Sequence, residues 1–246
     1  MIDLAQIPTK APEGLKKKLV KKETRRLAKR LAELQYLLFA EKKHSILVVF
    51  QGMDTSGKDG ATRNAFQYCS PSGMGCYSFK KPTDLEFAHD FLWRVQQHSP
   101  AKGDIQIFIR SHYEDILIQR VHEWINEDRV KARMDAINAY ETNLVHDNNT
   151  QVIKFYMHLS RERQTEKLQE RLDDPTKQWK HNQDDWKEAE YWDQYRKCYE
   201  DAINWSSIPW HIVPVDQRWY RNYLINKILV ERLEALQMQL PVLAKS

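Results

Sequence analysis

At 246 residues, with 41% hydrophobic and 11% aromatic side chains including 8 Trp, the chain can build one packed core carrying an insertion, and wholesale disorder is excluded. Its longest purely apolar run, 46–50, is far short of the roughly 20 residues a bilayer demands, so no membrane span is expected. The net charge of +4 is uneven, with +7 in residues 1–43 and −3 in the remainder.

Residues 13–43 predict a long helix, in which Leu15, Leu19, Leu27, Leu31, Leu34 and Leu38 recur at helical spacing among lysines and arginines. Its basic side reads either as a solvated helix face or as an attractor of polyanions. The opening residues show no basic stretch running into an apolar one, hence no secretory leader. Cys69, Cys76 and Cys198 lack metal spacing, which points to reduced thiols and a cytoplasmic location, and Cys69 and Cys76 read as plain interior residues. The histidines lack metal spacing too.

The run 45–50 is short, apolar and β-branched, as a strand buried on both faces must be. Weaker strand patterns follow at 76–79, 105–109, 151–157 and 210–215, with helical patterns at 60–69, 84–97, 114–146 and 217–238. This alternation predicts a parallel α/β sheet of about five strands with right-handed crossovers and helices on both faces. Residues 161–202 break the rhythm: they are charged, Trp-rich and strandless, so a helical insertion is expected there. The expected organisation is a basic helical segment at 1–44 and an α/β domain at 45–246, with a helical lid at about 161–195.

Only 7 glycines occur, and five of them fall between Gly52 and Gly75. Directly after the first strand, Gly52, four residues, then Gly57-Lys58 match a phosphate-binding loop in the strand-to-helix context it requires. Gly52, Thr55, Ser56, Gly57, Asp59 and Gly60 would form the anion nest, and Lys58 would neutralise terminal phosphates. Asp59 stands where a Ser or Thr usually follows the lysine. Asp54, an acid inside a phosphate nest, implies a cation between it and the ligand.

Gln51 to Gly60, Phe108 to Asp115, Arg171-Leu172-Asp173-Asp174-Pro175 through Trp179-Lys180, and Val213-Pro214-Val215-Asp216 running into Arg218-Trp219-Tyr220-Arg221-Asn222 together resemble the polyphosphate kinase 2 family, over about 13–238. The Gly-Lys-Asp-Gly loop ending and the Tyr113-Glu114-Asp115 triplet are most similar to the branch acting on both nucleoside mono- and diphosphates. The resemblance implies a P-loop-kinase-like three-layer sandwich with a helical lid. It implies phosphoryl transfer, in either direction, between inorganic polyphosphate and AMP or ADP, giving ADP or ATP, with Mg²⁺ or a substituting Mn²⁺.

By the same resemblance Asp54 and Lys58 form the metal-facing and phosphate-facing pair, Arg110 bridges phosphates, and Asp115 helps position the nucleotide's metal-bound phosphate and joins Asp54 as a metal residue. Lys80 and Lys81, a pair that is ordinarily a solvated turn, would lie by the phosphate path, and Arg171 and Lys180 would reach it from the lid. Trp179, Trp186 and Trp192 are expected to pack the lid helices.

The sequence departs from the family pattern at Ile109, where Asp or Asn precedes the arginine, at Lys167-Leu168 in place of Arg-Phe, and at His181-Asn182 in place of Phe-Ser. Lysine keeps the charge but loses the bidentate fork. The resemblance also implies a homo-oligomer, with the first and last helices as contact surfaces. Two other functions fit parts of the sequence. One is an ATP-dependent nucleotide or metabolite kinase of the same fold. The other is a non-catalytic polyanion binder, although the basic and aromatic interleaving of a nucleic-acid surface is missing.

Overall fold

A computed structural model describes residues 1–242, so the last four positions of the expected 45–246 domain lie outside the described residues. Five strands form one parallel sheet in the order β2-β3-β1-β4-β5. They are β1 (Ser45–Gln51), β2 (Met74–Ser78), β3 (Ile105–Ile109), β4 (Thr150–His158) and β5 (Trp210–Pro214). β1 lies at the centre and every one of its residues is buried, as its unbroken apolar run requires of a strand covered on both faces.

Helices cover both faces. α1 (Lys17–Glu41), α2 (Lys58–Ala65) and α10 (Arg218–Glu234) pack together on one side. α5 (Glu114–Val121), α6 (Glu127–Asn148) and α9 (Trp192–Trp205) pack on the other. The short α3 (Asp84–Phe87) and α4 (Trp93–Gln96) stand where a single helix is expected. The expected helix at 114–146 is likewise divided, and Asn126 caps the second part by accepting from the Arg129 amide.

α1 buries Leu27, Leu31, Leu34 and Leu38, and these belong to the same core as the sheet. Leu15 precedes the helix and Leu19 remains exposed, so the apolar stripe begins later than its sequence pattern implies. Ahead of α1, the N-terminal strap docks across the domain. Leu4 is buried, its amide donates to Glu200 Oε1 at 3.0 Å, and the Thr9 hydroxyl donates to Asp216 at 2.7 Å.

The insertion consists of α7 (Arg161–Asp173), a 3-10 turn at Gln178–Lys180 and α8 (Gln183–Glu190). α9 returns to the core through Trp192, Tyr199, Ala202 and Ile203. Of the three lid tryptophans only Trp192 is buried; Trp179 is 79% exposed, which corrects the packing role expected for it. Cys76 is exposed rather than interior, because β2 is an edge strand covered incompletely. Among the described residues, no helix is long and apolar enough to cross a membrane.

Candidate active site

The carboxyl ends of β1 and β3 lie side by side, with Phe50 opposite Ile109 in the parallel register. Ligands of open α/β sheets bind at such strand ends. The chain after β1 makes the glycine loop. Gly52 is irreplaceable on two counts: its φ is +152°, and a Cβ there would lie 2.8 Å from the Met157 carbonyl oxygen. Gly57, at φ +87°, directs the chain into α2.

Within this loop Lys58 is buried, and its ammonium donates to the carbonyls of Gly52 at 2.7 Å and Met53 at 3.1 Å. Burial, with help from Arg110, brings its pKa down to about 8. The hydroxyls of Thr55 and Ser56 are buried without partners. Buried polar atoms are normally satisfied, so a cradle of orphaned hydroxyls is built for something beyond the chain. Asp59 faces solvent on the first turn of α2, outside the nest, whereas Gly60 lies close to Arg221.

Arg110 follows β3 with φ +59°, a left-handed conformation that costs a non-glycine residue about 1 kcal/mol or more. That conformation turns its guanidinium to Asp54, at 2.6 Å, and to within 4.0 Å of Glu114. Burial alone would raise the Asp54 pKa, but Lys58 and Arg110 outweigh it and hold the carboxyl below its usual range. Glu114, which accepts from Gln51 Nε2 at 3.0 Å, is instead raised by burial despite Arg110. Glu114 is a member of this crevice that sequence reasoning missed. It sits inside the quoted Tyr-Glu-Asp triplet, but only the backbone path shows which of the two acids faces the loop.

Asp115 does not join Asp54. Its carboxylate is buried and accepts from Arg94 Nη2 at 3.1 Å and Gln119 Nε2 at 2.8 Å. The physical reason is helical geometry: adjacent residues on the first turn of α5 point about 100° apart. Asp115 therefore lines a separate cavity of about 360 Å³ with Pro82, Phe87, Phe91, Arg94 and Arg133. Arg94 also donates to the Lys80 carbonyl at 2.9 Å, anchoring the end of the second strand segment. The side chains of Lys80 and Lys81 remain exposed.

The lid lies over the glycine loop. Gln164 on α7 donates to the Asp54 carbonyl at 3.3 Å, and Arg171 is close enough to help lower the Asp54 pKa. Arg171 pairs with Asp185 and donates to the Lys180 carbonyl at 3.1 Å. The Lys180 ammonium lies over the exposed Trp179 ring at 4.9 Å. Arg221 on α10, which sequence reasoning quoted only within a motif, is buried against the glycine loop and donates to the Gly57 carbonyl at 3.2 Å. Burial beside Arg218 lowers its pKa to about 10.

Ile109 is 8% exposed and belongs to the hydrophobic core. It is a packing residue at the strand end, not a vacancy in the crevice. Behind the glycine loop runs a groove of about 810 Å³ lined by Lys17, Lys21, Arg25, Arg163, Arg218 and Trp219, and among the described residues no acid lines it.

A parallel five-stranded sheet with a phosphate-type loop at β1 and a helical lid defines a nucleotide-kinase-like α/β protein. The family model "Polyphosphate kinase 2 (PPK2)" matches residues 14–241, and the chain belongs to that family. It is 45% identical over 218 residues to the AMP/ADP-polyphosphate phosphotransferase of Meiothermus ruber, covering 87% of this chain and 81% of the relative. It is 36% identical to the ADP-polyphosphate phosphotransferase of Rhodopseudomonas palustris, covering 98% and 88%. The crystal structure of polyphosphate kinase 2 from Arthrobacter aurescens TC1 superposes with a TM-score of 0.95 at 36% identity, covering all of this chain and 89% of that one.

Proposed function

We propose that the chain is a polyphosphate-dependent nucleotide phosphotransferase that moves a phosphoryl group, in either direction, between inorganic polyphosphate and AMP or ADP. The observation that carries this reading is the glycine loop itself. A buried lysine, two orphaned hydroxyls and the arginines 110, 171 and 221 converge on it, in a member of the polyphosphate kinase 2 family. Phosphoryl transfer spreads charge over peripheral oxygens, so it needs fixed cations more than an acid–base pair. Lys58, Arg110 and Arg221 supply them from rigid elements, and Arg171 adds one from the lid, which also excludes water from the donor.

Mg²⁺ fits the donors present. Among the described residues no group of three or more His, Cys, Asp or Glu could hold a metal by itself. Mg²⁺ asks for less: one or two carboxylates, with waters and substrate phosphates completing its shell. Asp54 and Glu114, both beside Arg110, would hold it, and Asp115 would not. When bound, the ion neutralises charge between donor and acceptor phosphates.

The cavity at Asp115 suits the nucleotide. The rings of Phe87 and Phe91 offer apolar faces, Asp115 an acceptor, and Arg94 and Arg133 positive charge. The acid-free groove behind the loop suits a long polyanion. We assign the homo-oligomer expected of the family to surfaces that include the exposed Leu19 and Tyr36 on α1, which sedimentation velocity would test. A cytoplasmic location accords with nucleotide substrates and with the free state of all three cysteines.

The deciding experiment incubates the protein with AMP or ADP and either polyphosphate or ATP as donor, with and without Mg²⁺. Mg²⁺-dependent ADP or ATP formation from polyphosphate is expected. Transfer from ATP alone would make the chain an ordinary ATP-dependent kinase. Binding of polyphosphate without transfer would make it a polyanion binder.

A further inference from the structure

A charged cluster sealed from solvent lies beneath the turn that joins β3 to α5. Lys154 on β4, Glu141 on α6 and His112 in the turn are all fully buried. The Lys154 ammonium is 2.6 Å from Glu141 Oε2 and 2.7 Å from the Tyr113 hydroxyl. Tyr113 donates to Glu141 Oε1 at 3.0 Å, and His112 Nε2 lies 3.1 Å from the same oxygen. The Tyr113 hydroxyl also meets Ser206 at 3.1 Å, and Trp210 donates to Ser206 at 2.8 Å. Burial pushes the Glu141 pKa upward, but Lys154 and His112 outweigh it, so the carboxyl is held below its usual range.

Such a cluster is a poor device for stability. Apolar side chains of similar volume often do as well, because taking charges out of water offsets their attraction. Two of its members instead share one address. His112 and Tyr113 are the two residues between Ser111 and Glu114, in a turn that begins with the left-handed Arg110 and ends on Glu114 and Asp115. Apolar packing would bury this turn without fixing its rotation. Hydrogen bonds to a carboxylate and an ammonium fix both depth and direction.

We propose that Lys154 and Glu141 are positioning residues for phosphoryl transfer: through His112 and Tyr113 they hold the turn that aims Arg110 and Glu114 at the glycine loop and Asp115 at the aromatic cavity. The proposal rests on the phosphotransferase reading above. Neither residue touches substrate; both act through the turn.

The test uses the full chain and three variants: Lys154→Met, the paired Lys154→Met/Glu141→Leu, and Tyr113→Phe. Melting temperature, kcat, and calorimetric affinity for inorganic tripolyphosphate are measured on each. Lys154→Met strands a buried carboxylate and should lower both melting temperature and kcat. The paired variant removes the stranded charge but leaves His112 and Tyr113 without their acceptor, so it should regain part of the melting temperature while kcat stays down on the order of 10–100-fold, the size of effect that a misplaced group produces. Tyr113→Phe keeps the ring but loses the hydroxyl. It leaves the buried ammonium one acceptor short, so it should melt below the parent but above Lys154→Met, while kcat and tripolyphosphate affinity each fall by roughly tenfold.

A paired variant or a Tyr113→Phe variant with parental kcat and parental tripolyphosphate affinity would overturn the proposal. So would losses of kcat that merely follow melting temperature across the three; should the paired variant fail to fold, Tyr113→Phe alone decides. Parent protein that binds tripolyphosphate yet transfers nothing would sink the functional reading, while the affinity readout would still judge the turn.

Discussion

The crevice at β1 and β3 and the lid above it are both rich in charge, yet they treat charge differently. In the crevice, Lys58 is buried on two carbonyl oxygens, and Arg110 is held in a left-handed conformation against Asp54. In the lid, most cations pair with carboxylates a turn away on the protein surface, as Lys167 does with Glu170 and Lys187 with Asp184. Surface pairs of that kind contribute roughly 0–1 kcal/mol and solvate a helix. A buried lysine held only by carbonyl oxygens, beside orphaned hydroxyls, is what the proposed anion site rests on.

Lys58→Ala and Asp54→Ala should each cost transfer from polyphosphate on the order of 3 kcal/mol or more in transition-state stabilisation, with an unchanged circular dichroism spectrum. Near-normal turnover of either variant at saturating Mg²⁺ would remove the crevice from the mechanism. The lowered Lys58 pKa adds a pH test. Anion affinity of the free enzyme should weaken as pH rises through about 8, and Lys58→Met should abolish that inflection. The sign follows because deprotonation removes the positive charge the anion meets. For stability, a lysine whose folded pKa lies below its unfolded value binds fewer protons when folded. Its stability penalty is therefore largest at low pH and is relieved as pH rises from about 8 towards the ordinary lysine value.

The two adjacent acids sharpen the contrast within the crevice. Glu114→Gln should raise the Mg²⁺ concentration for half-maximal rate by roughly tenfold and leave nucleotide KM nearly unchanged, whereas Asp115→Asn should raise nucleotide KM and leave the Mg²⁺ titration in place. The reverse pattern would mean that the turn is aimed the other way.

The basic groove predicts a smaller, graded effect. Polyphosphate affinity should fall more steeply with salt than nucleotide affinity. Each of Lys21→Ala and Arg25→Ala should reduce the logarithmic salt slope by about 0.7, by analogy with single-stranded nucleic acids. Equal slopes for polymer and nucleotide would leave the groove without a ligand.

The smallest effect concerns Ile109. Because it packs in the core, Ile109→Asn should bury an amide without partners and lower stability by roughly 1–3 kcal/mol while leaving Mg²⁺ dependence unshifted. A lower Mg²⁺ requirement with unchanged melting would place this side chain in the crevice after all.

Local chemistry settles much of this protein before any folding is considered. A short unbroken apolar run rich in β-branched residues, stopped by a glycine turn, reads as a strand covered on both faces. A glycine loop with a lysine between such a strand and a helix has the spacing that lets its amides turn inward. Those two facts make the α/β class, the central strand and the phosphate loop legible from residues 45–60, and the remaining strands follow from shorter runs of the same kind. Tertiary structure decides what depends on direction. Glu114 and Asp115 are neighbours in the chain, but helical rotation sends one to the glycine loop and the other to an aromatic cavity. Lys180 lies within a lid motif, and only the fold shows its ammonium over the exposed Trp179 ring. Arg221 stands far away in sequence and arrives at the loop only because α10 packs beside α2. Burial, backbone rotation and the meeting of distant segments are properties of the assembled fold, because each depends on which surfaces close over a residue and not on its neighbours in sequence.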